Sequence, residues 1–120
     1  MPEGEILLAH LKDGTVIGFI CIIDDPKKFE VTYTTDTEPC IDDLFVDPSY
    51  QGMGIGTLLM KSAEKILIDK GFTSCCLACL EAYAPSHGFY EHLGWSQSKA
   101  RSFKCGTDGY QYRLYTKKFP

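Results

Sequence analysis

A segment with a glycine at every second position, Gln51–Thr57, constrains this chain more than any other feature. It lies between an apolar run typical of a strand, Ile41–Val46, and a stretch with helical periodicity, Gly56–Lys70. Glycine lets the backbone turn tightly and removes side chains that would block a ligand. Because a helix starts directly after the loop, its free backbone N–H groups and positive dipole end favour an anion. Strand, glycine loop and helix together predict a phosphate-binding site.

The spacing of these glycines differs from that of two common phosphate-binding loops. A P-loop needs a glycine, four residues and then Gly-Lys followed by Ser or Thr, but no lysine follows Gly56. A dinucleotide-binding loop has the pattern G-x-G-x-x-G, whereas this loop has G-x-G-x-G. Neither pattern matches this loop. Taken alone, the loop is also compatible with a glycine-rich turn that binds no ligand.

Alternation of apolar and polar residues predicts the remaining elements. Asp13-Gly14 between two apolar runs indicates a hairpin, and a helix between two strands implies a parallel crossover. We expect strands at Glu5–Leu11, Val16–Ile23, Phe29–Thr35, Ile41–Val46, Phe72–Leu80, Ser98–Lys104 and Tyr110–Lys117, and helices at Gly56–Lys70 and Ser86–Leu93. This order predicts an α/β fold with a single mixed, mostly antiparallel sheet flanked by helices.

Length and charge narrow the class of protein. A chain of 120 residues predicts one domain over residues 1–120. The net charge of −4 gives no general attraction to nucleic acids or anionic membranes, so we expect neither as a partner. Val16–Ile23 is too short to span a bilayer, and the acidic start does not resemble a secretion signal. We therefore expect a cytoplasmic protein with reduced cysteines.

The C-x-x-C pair Cys76 and Cys79 raises the question of a metal or redox site. Residues three apart in a strand face opposite sides of the sheet, so the pair is poorly placed to chelate one ion. No second cysteine or histidine pair stands at ligand spacing. We expect no metal site.

A second motif, Phe89–Trp95, has the sequence Phe-Tyr-Glu-His-Leu-Gly-Trp. With it, the chain resembles the GCN5-related N-acetyltransferase (GNAT) family from about Glu5 to the C-terminus. Gln51–Gly56 fits that family's coenzyme motif, and Asp42–Pro48 looks like its fourth strand. The resemblance implies an acyl-CoA N-acyltransferase fold, acetyl-CoA as co-substrate, and transfer to the primary amine of a small molecule or peptide.

The resemblance also implies roles for particular residues. Loop amides would bind the pyrophosphate, and the Leu44–Val46 backbone would pair with pantetheine amides. Where relatives often have Asn, two residues and then Ala, this chain departs with Tyr83 and Ser86, and Ser86 would supply a polar substitute. The implied coenzyme-binding residues are Leu44, Phe45, Val46, Gln51, Gly52, Met53, Gly54, Ile55, Gly56, Thr57 and Ser86. Tyr90 matches the family tyrosine that hydrogen-bonds the coenzyme sulfur and protonates the departing thiolate.

An alkylammonium acceptor must lose a proton before attack, so a general base is expected. Asp42 and Asp43 are adjacent in a strand and should point to opposite faces. Asp42 would share its face with Leu44 and Val46, which favours Asp42 as the base. A solvated strand-end acid is the equal alternative, and Glu81 lies just beyond the next strand.

The chain departs from the family pattern where the acceptor should bind. The first strand and the helix pair that usually precede the first hairpin are missing. Two alternatives to catalysis therefore remain: a non-catalytic acyl-CoA-binding or regulatory module, and a subunit that depends on a partner. A homodimer is left open, and acceptor identity does not follow from the sequence.

Overall fold

The computed structural model describes residues 4–24, 38–97, 103–104 and 111–120 and contains one mixed sheet with two helices. The described strands are β1 Gly4–His10, β2 Val16–Ile23, β3 Cys40–Val46, β4 Ser74–Leu80, β5 Ser96–Gln97, β6 Phe103–Lys104 and β7 Gln111–Lys118. The helices are α1 Ile55–Asp69 and α2 Ala84–His92. This architecture confirms the predicted fold class.

The strand order of the sheet creates a gap at its centre. Strands follow the order β1-β2-β3-β4-β7-β5, β6 also pairs with β7, and only β3 and β4 run parallel among the described pairs. The β3–β4 register contains two positions, Cys40 with Cys76 and Ile41 with Leu77. The β4–β7 register runs the full length of β4. In the described chain, β3 and β4 therefore diverge after Ile41 and leave one edge of β3 without a strand partner.

Helix α1 covers one face of the sheet through an apolar stripe. Its buried residues are Leu59, Met60, Ala63 and Leu67, spaced for one side of a helix. They pack with residues such as Ile20, Ile22, Leu77, Trp95 and Tyr115 in the main core cluster. The helix ends before Gly71, whose φ of 94° provides the left-handed stop that Lys70-Gly71 predicts.

The other predicted elements agree with the structure within a few residues. The first hairpin forms with Gly14 at φ 93°, and β2 has its predicted bounds. Helix α2 starts two residues before the predicted Ser86, because a proline fits the first turn of a helix. Strand β5 was not predicted. The predicted strand Phe29–Thr35 and most of Ser98–Lys104 lie outside the described residues.

Two observations concern the C-x-x-C pair and the possibility of a membrane-spanning segment. Cys76 belongs to a small buried cluster with Ile23 and Cys40, whereas Cys79 belongs to the main core. The two thiols thus lie on different sides of the sheet, as the strand spacing predicts. Within the described part of the chain, α1 is the longest helix, and no helix combines the length and apolar character needed to cross a bilayer.

Candidate functional site

A cleft of about 460 Å³ opens where the glycine loop, the free edge of β3 and helix α2 meet. It brings together both motifs that the sequence singles out. The lining residues are Leu44, Val46, Tyr50, Gln51, Gly52, Gly54, Ile55, Gly56, Thr57, Tyr83, Pro85, Ser86, Phe89 and Tyr90. The prediction did not include Tyr50, Tyr83, Pro85 or Phe89 as ligand contacts.

The glycine loop begins where β3 is stopped by Asp47-Pro48. The Asp47 carboxylate accepts a hydrogen bond from the Ser49 N–H at 2.9 Å and starts a short 3₁₀ turn, Pro48–Tyr50. The Gln51 Nε2 then donates to the Val46 carbonyl at 2.9 Å. This hydrogen bond holds the start of the loop against the end of β3. The loop and β3, which form two walls of the cleft, are therefore connected where they meet.

The three loop glycines serve two different purposes. Gly52 and Gly54 have φ values of 82° and 85°, a left-handed conformation that disfavours other residues. Gly56 is needed for space, since an added Cβ would lie 3.4 Å from the Phe89 ring and 3.7 Å from Val46 Cγ2. The first two glycines turn the loop, and the third lets α2 approach α1.

The start of α1 presents unused backbone donors to the cleft. Its first backbone hydrogen bond runs from the Leu58 N–H to the Gly54 carbonyl at 3.0 Å. The N–H groups of Ile55, Gly56 and Thr57 precede that bond and therefore have no acceptor within the helix. These donors and the positive dipole end make the start of α1 suited to an anion such as a phosphate.

The free edge of β3 forms the second wall. Leu44 and Val46 line the cleft, whereas the Phe45 side chain is 47% exposed and stacks on Phe19 with ring centroids 5.7 Å apart. Phe45 is not among the lining residues, so its side chain is not placed for ligand contact. Met53 is exposed and does not line the cleft, so its side chain is not placed for ligand contact.

Tyr90 projects from α2 into the cleft. Its ring packs edge-on against Phe89 at 5.2 Å and against Trp95 at 6.5 Å. Burial raises the pKa of Tyr90 to about 12, with smaller contributions from Cys79 and from the negative charge of Asp43. The phenol therefore stays protonated at neutral pH and is available as a proton or hydrogen-bond donor.

A β-bulge changes the expected placement of the paired aspartates. Cys21 pairs with Asp43 but its neighbour Ile22 pairs with Ile41, so Asp42 is the extra residue on β3. Regular alternation breaks there, because Ile41, Leu44 and Val46 all contact the same core cluster. The prediction that Asp42 shares a face with Leu44 and Val46 by simple alternation is wrong for this reason.

The two aspartates also differ in their electrostatic surroundings. Burial, and then the charge of Asp43, raises the pKa of Asp42 above the usual aspartate range. Neither aspartate is among the residues that line the cleft, but Asp43 is near enough for its charge to act on Tyr90. No pattern in these residues predicts the bulge, so sequence reasoning offers no ground for preferring Asp43.

Glu81, the alternative acid, is engaged by an arginine. Arg113 Nε and Nη2 donate to its two carboxylate oxygens at 2.8 and 3.0 Å. Arg113, Tyr115 and Glu91 form a contact group beside Tyr90 that the sequence did not reveal.

Ser86, a predicted coenzyme contact, lines the cleft at the start of α2. Its role in binding stays a prediction.

Comparison with protein families gives a match over most of the chain. The model of the Acetyltransferase (GNAT) family matches residues 1–95. Glucosamine 6-phosphate N-acetyltransferase of Trypanosoma brucei brucei is 32% identical over 89 residues, which are 74% of this chain and 56% of that protein. Thialysine N-epsilon-acetyltransferase of Bos taurus is 33% identical over 66 residues, or 54% of this chain and 39% of that protein.

Solved structures show the same fold. The paiA N-acetyltransferase of Thermoplasma acidophilum, crystallised with coenzyme A, aligns with a TM-score of 0.73 and 26% identity over 98% of this chain and 62% of that chain. Nourseothricin acetyltransferase aligns with a TM-score of 0.76 and 21% identity over 99% of this chain and 67% of that chain. The chain thus spans about half the length of the curated relatives and two thirds of these structures.

Proposed function

Because the chain belongs to the acetyltransferase (GNAT) family, we propose that it transfers the acetyl group of acetyl-CoA to a primary amine. The observation that carries the proposal is the cleft itself. It combines the free N–H groups at the start of α1 with the partly buried phenol of Tyr90. A neighbour of 26% identity was crystallised with coenzyme A, which supports this choice of co-substrate.

The start of α1 would hold the coenzyme phosphates. Backbone donors of Ile55, Gly56 and Thr57 supply hydrogen bonds, and the glycines at 52 and 54 leave the approach open. The free edge of β3 offers further backbone groups to the amides of the pantetheine arm, as an added strand would use them. The thioester would then lie deeper in the cleft, towards Tyr90.

The reaction is direct attack of the neutral amine on the thioester carbonyl carbon. A new C–N bond forms, the C–S bond breaks, the departing sulfur takes a proton from the Tyr90 hydroxyl, and the proton that the nitrogen of the new amide releases restores the phenol. A phenol whose pKa is about 12 is protonated at neutral pH, so it meets the departing sulfur as a donor. The same side chain also stabilises the developing negative charge through its hydrogen bond.

The amine must first lose its own proton. An alkylammonium has a pKa of about 10, so a nearby base raises the fraction that can attack. For this role we keep Asp42, whose pKa burial raises, as the first candidate and Asp43 as the alternative, since neither aspartate lines the cleft and the charge of Asp43 acts on Tyr90. Asp43 adds negative charge beside it and favours a cationic acceptor. Glu81 is a weaker candidate because Arg113 occupies both of its oxygens.

The names of the relatives support an amine acceptor without identifying it. One acts on glucosamine 6-phosphate and another on thialysine, both of which carry a primary amine. The chain covers only part of each relative, so its own acceptor is open. Small amines are our first candidates, and peptide amines are the second.

The test separates coenzyme binding from turnover. Acetyl-CoA should raise the melting temperature through binding to the native state. Release of the free thiol should then be followed with a panel containing a polyamine, an amino sugar phosphate, a lysine analogue and a basic peptide. Thiol release with one amine supports the acetyltransferase. A thermal shift without turnover on any amine favours a non-catalytic acyl-CoA-binding module or a partner-dependent subunit.

A further inference from the structure

Helix α2 carries the proposed acid, packs on the main core through Tyr90, and buries none of its side chains completely. All nine of its residues lie in the described range 38–97, and none of them is fully buried. A helix this short is marginal on its own in water. Its position, and with it the position of Tyr90, must therefore depend on contacts that its partly exposed side chains make with the sheet.

The strongest of these contacts form a group that we call the Tyr115 cluster, comprising Glu81, Glu91, Arg113 and Tyr115. The Tyr115 hydroxyl donates to Glu91 Oε2 at 2.6 Å and accepts from Arg113 Nη1 at 3.2 Å. Arg113 in turn holds both carboxylate oxygens of Glu81, just after β4. The cluster thus ties α2 to β7 and to the end of β4.

The cluster adjoins Tyr90 in two ways. Glu91, which accepts the hydrogen bond, is the next residue along α2. The Tyr115 ring, which is fully buried, lies with its centroid 6.0 Å from that of Tyr90. A change at the Tyr115 hydroxyl therefore reaches Tyr90 through the helix backbone and through ring packing.

We propose that Tyr115 is a positioning residue whose hydroxyl, held between Arg113 and Glu91, fixes the Tyr90 phenol in the cleft. The proposal rests on the acetyltransferase function, because it concerns the acid of that reaction. Hydrogen bonds are directional and one of these carries a carboxylate, so they fix an orientation that apolar packing alone would leave loose. A displacement of about 1 Å at a reacting group can cost up to a hundredfold in rate.

A double-mutant cycle separates positioning from general stability. Tyr115→Phe keeps the buried ring and should lower kcat about tenfold, with little change in KM for acetyl-CoA. In a Tyr90→Phe background the same change should have almost no further effect, because the group it positions is gone. Additive losses of kcat in the two variants would overturn the proposal.

A matched control and a conservative variant sharpen this test. Lys117 Nζ on β7 also ties the C-terminal end of α2 to the sheet by donating to the Leu93 carbonyl at 2.8 Å, and it forms an ion pair with Glu64 of α1 at 2.8 Å. Lys117→Met should lower the melting temperature while kcat stays near that of the wild type. Glu91→Gln retains an acceptor for the Tyr115 hydroxyl and should keep more activity than Glu91→Ala. Equal losses of kcat in Tyr115→Phe and Lys117→Met would contradict a specific role.

A spectroscopic measurement keeps this inference independent of turnover. With [ζ-¹³C]tyrosine labelling, the Tyr90 resonance is identified by its loss in Tyr90→Phe. We expect one sharp Tyr90 line in the wild-type protein and a broadened or split line in Tyr115→Phe. A single sharp line in both proteins would overturn the positioning role. Failure of acetyl-CoA to shift the melting temperature would instead overturn the proposed function, whatever the Tyr90 line does.

Discussion

Helix α1 presents four buried side chains to the sheet, whereas none of the nine residues of α2 is buried. The start of α1 forms the end of the cleft that we propose for the coenzyme phosphates, and α2 carries Tyr90 at the other end. The two ends of one site are therefore held by different forces. Apolar burial dominates at the first, whereas at the second the ring packing of Tyr90 is joined by partly buried hydrogen bonds and ion pairs.

This difference matters because the two forces constrain different things. Apolar burial is non-directional and supplies most of the stability of a domain. Hydrogen bonds add less net stability but fix orientation. Phosphate binding needs a firm helix start, whereas proton transfer to a sulfur needs a hydroxyl at one angle and distance. Each end of the cleft is thus stabilised by the force that suits the role we propose for it.

The largest effect should come from breaking the apolar anchorage of α1. Leu67 is fully buried among the sheet residues of the main core. Leu67→Ala should lower the free energy of unfolding by about 2–5 kcal/mol, through lost transfer energy and a residual cavity. Ile68→Ala, at a neighbouring position that is 42% exposed, is the matched control and should cost much less. Urea denaturation measures both, and equal losses would contradict the assigned anchorage.

The second prediction concerns the α2 end of the cleft and tests the Tyr90 hydroxyl. Tyr90→Phe should lower kcat by about 10²-fold, a typical contribution of one positioned acid, and leave acetyl-CoA binding nearly normal. Tyr83→Phe, at an exposed tyrosine that also lines the cleft, should change kcat far less. Steady-state thiol release measures both variants. Unchanged turnover in Tyr90→Phe with a collapse in Tyr83→Phe would assign the acid to Tyr83.

The α1 end could be predicted from sequence because its determinants are local. The loop glycines lie within five residues, and the buried stripe of α1 follows helical periodicity. The α2 end could not be predicted in this way, because Tyr115 and Glu91, whose hydrogen bond connects α2 to the sheet, are 24 residues apart in the chain. The motif that contains Tyr90 was predicted only by resemblance to a family. Nothing in the sequence indicates which side chains hold it.

The aspartate pair shows a second limit of sequence reasoning. Two adjacent residues in a regular strand face opposite sides, but the bulge at Asp42 breaks that rule. A bulge depends on how β3 pairs with β2, which lies at least seventeen residues earlier in the chain. The face of each aspartate is therefore a property of the sheet, and periodicity within β3 alone cannot give it.

The third prediction tests which aspartate acts as the base. Activity should fall as the pH drops through the pKa of the base, which must be ionised to accept a proton. Because the pKa of Asp42 is raised, this fall should begin at a higher pH than for an ordinary aspartate. Asp42→Asn should remove this acid limb from the pH profile of kcat/KM and lower kcat by about 10²-fold. If Asp43→Asn removes the limb instead, the base is Asp43.

The fourth prediction tests the anion site at the start of α1. Gly54→Asp places a negative charge where the coenzyme phosphates should bind, and we expect at least a tenfold loss of acetyl-CoA affinity, about 1.4 kcal/mol. Gly54→Asn is the matched control, because both residues tolerate the left-handed conformation that Gly54 adopts with similar strain. Isothermal titration calorimetry measures the difference. Equal affinity in the two variants would show that the phosphates bind elsewhere.

The smallest effect should come from an ion pair that contributes to neither end of the cleft. Lys65 and Asp69 on α1 lie 3.1 Å apart, but their side chains are 75% and 63% exposed. Exposed pairs of this spacing stabilise a helix by only about 0.3–0.5 kcal/mol. Asp69 also lies at the C-terminal end of α1, where a negative charge is disfavoured by the helix dipole. Asp69→Asn should therefore change the free energy of unfolding by less than about 0.5 kcal/mol in either direction. If urea denaturation showed a loss as large as that of Leu67→Ala, polar contacts would anchor α1 as well, and the contrast between the two helices would fail.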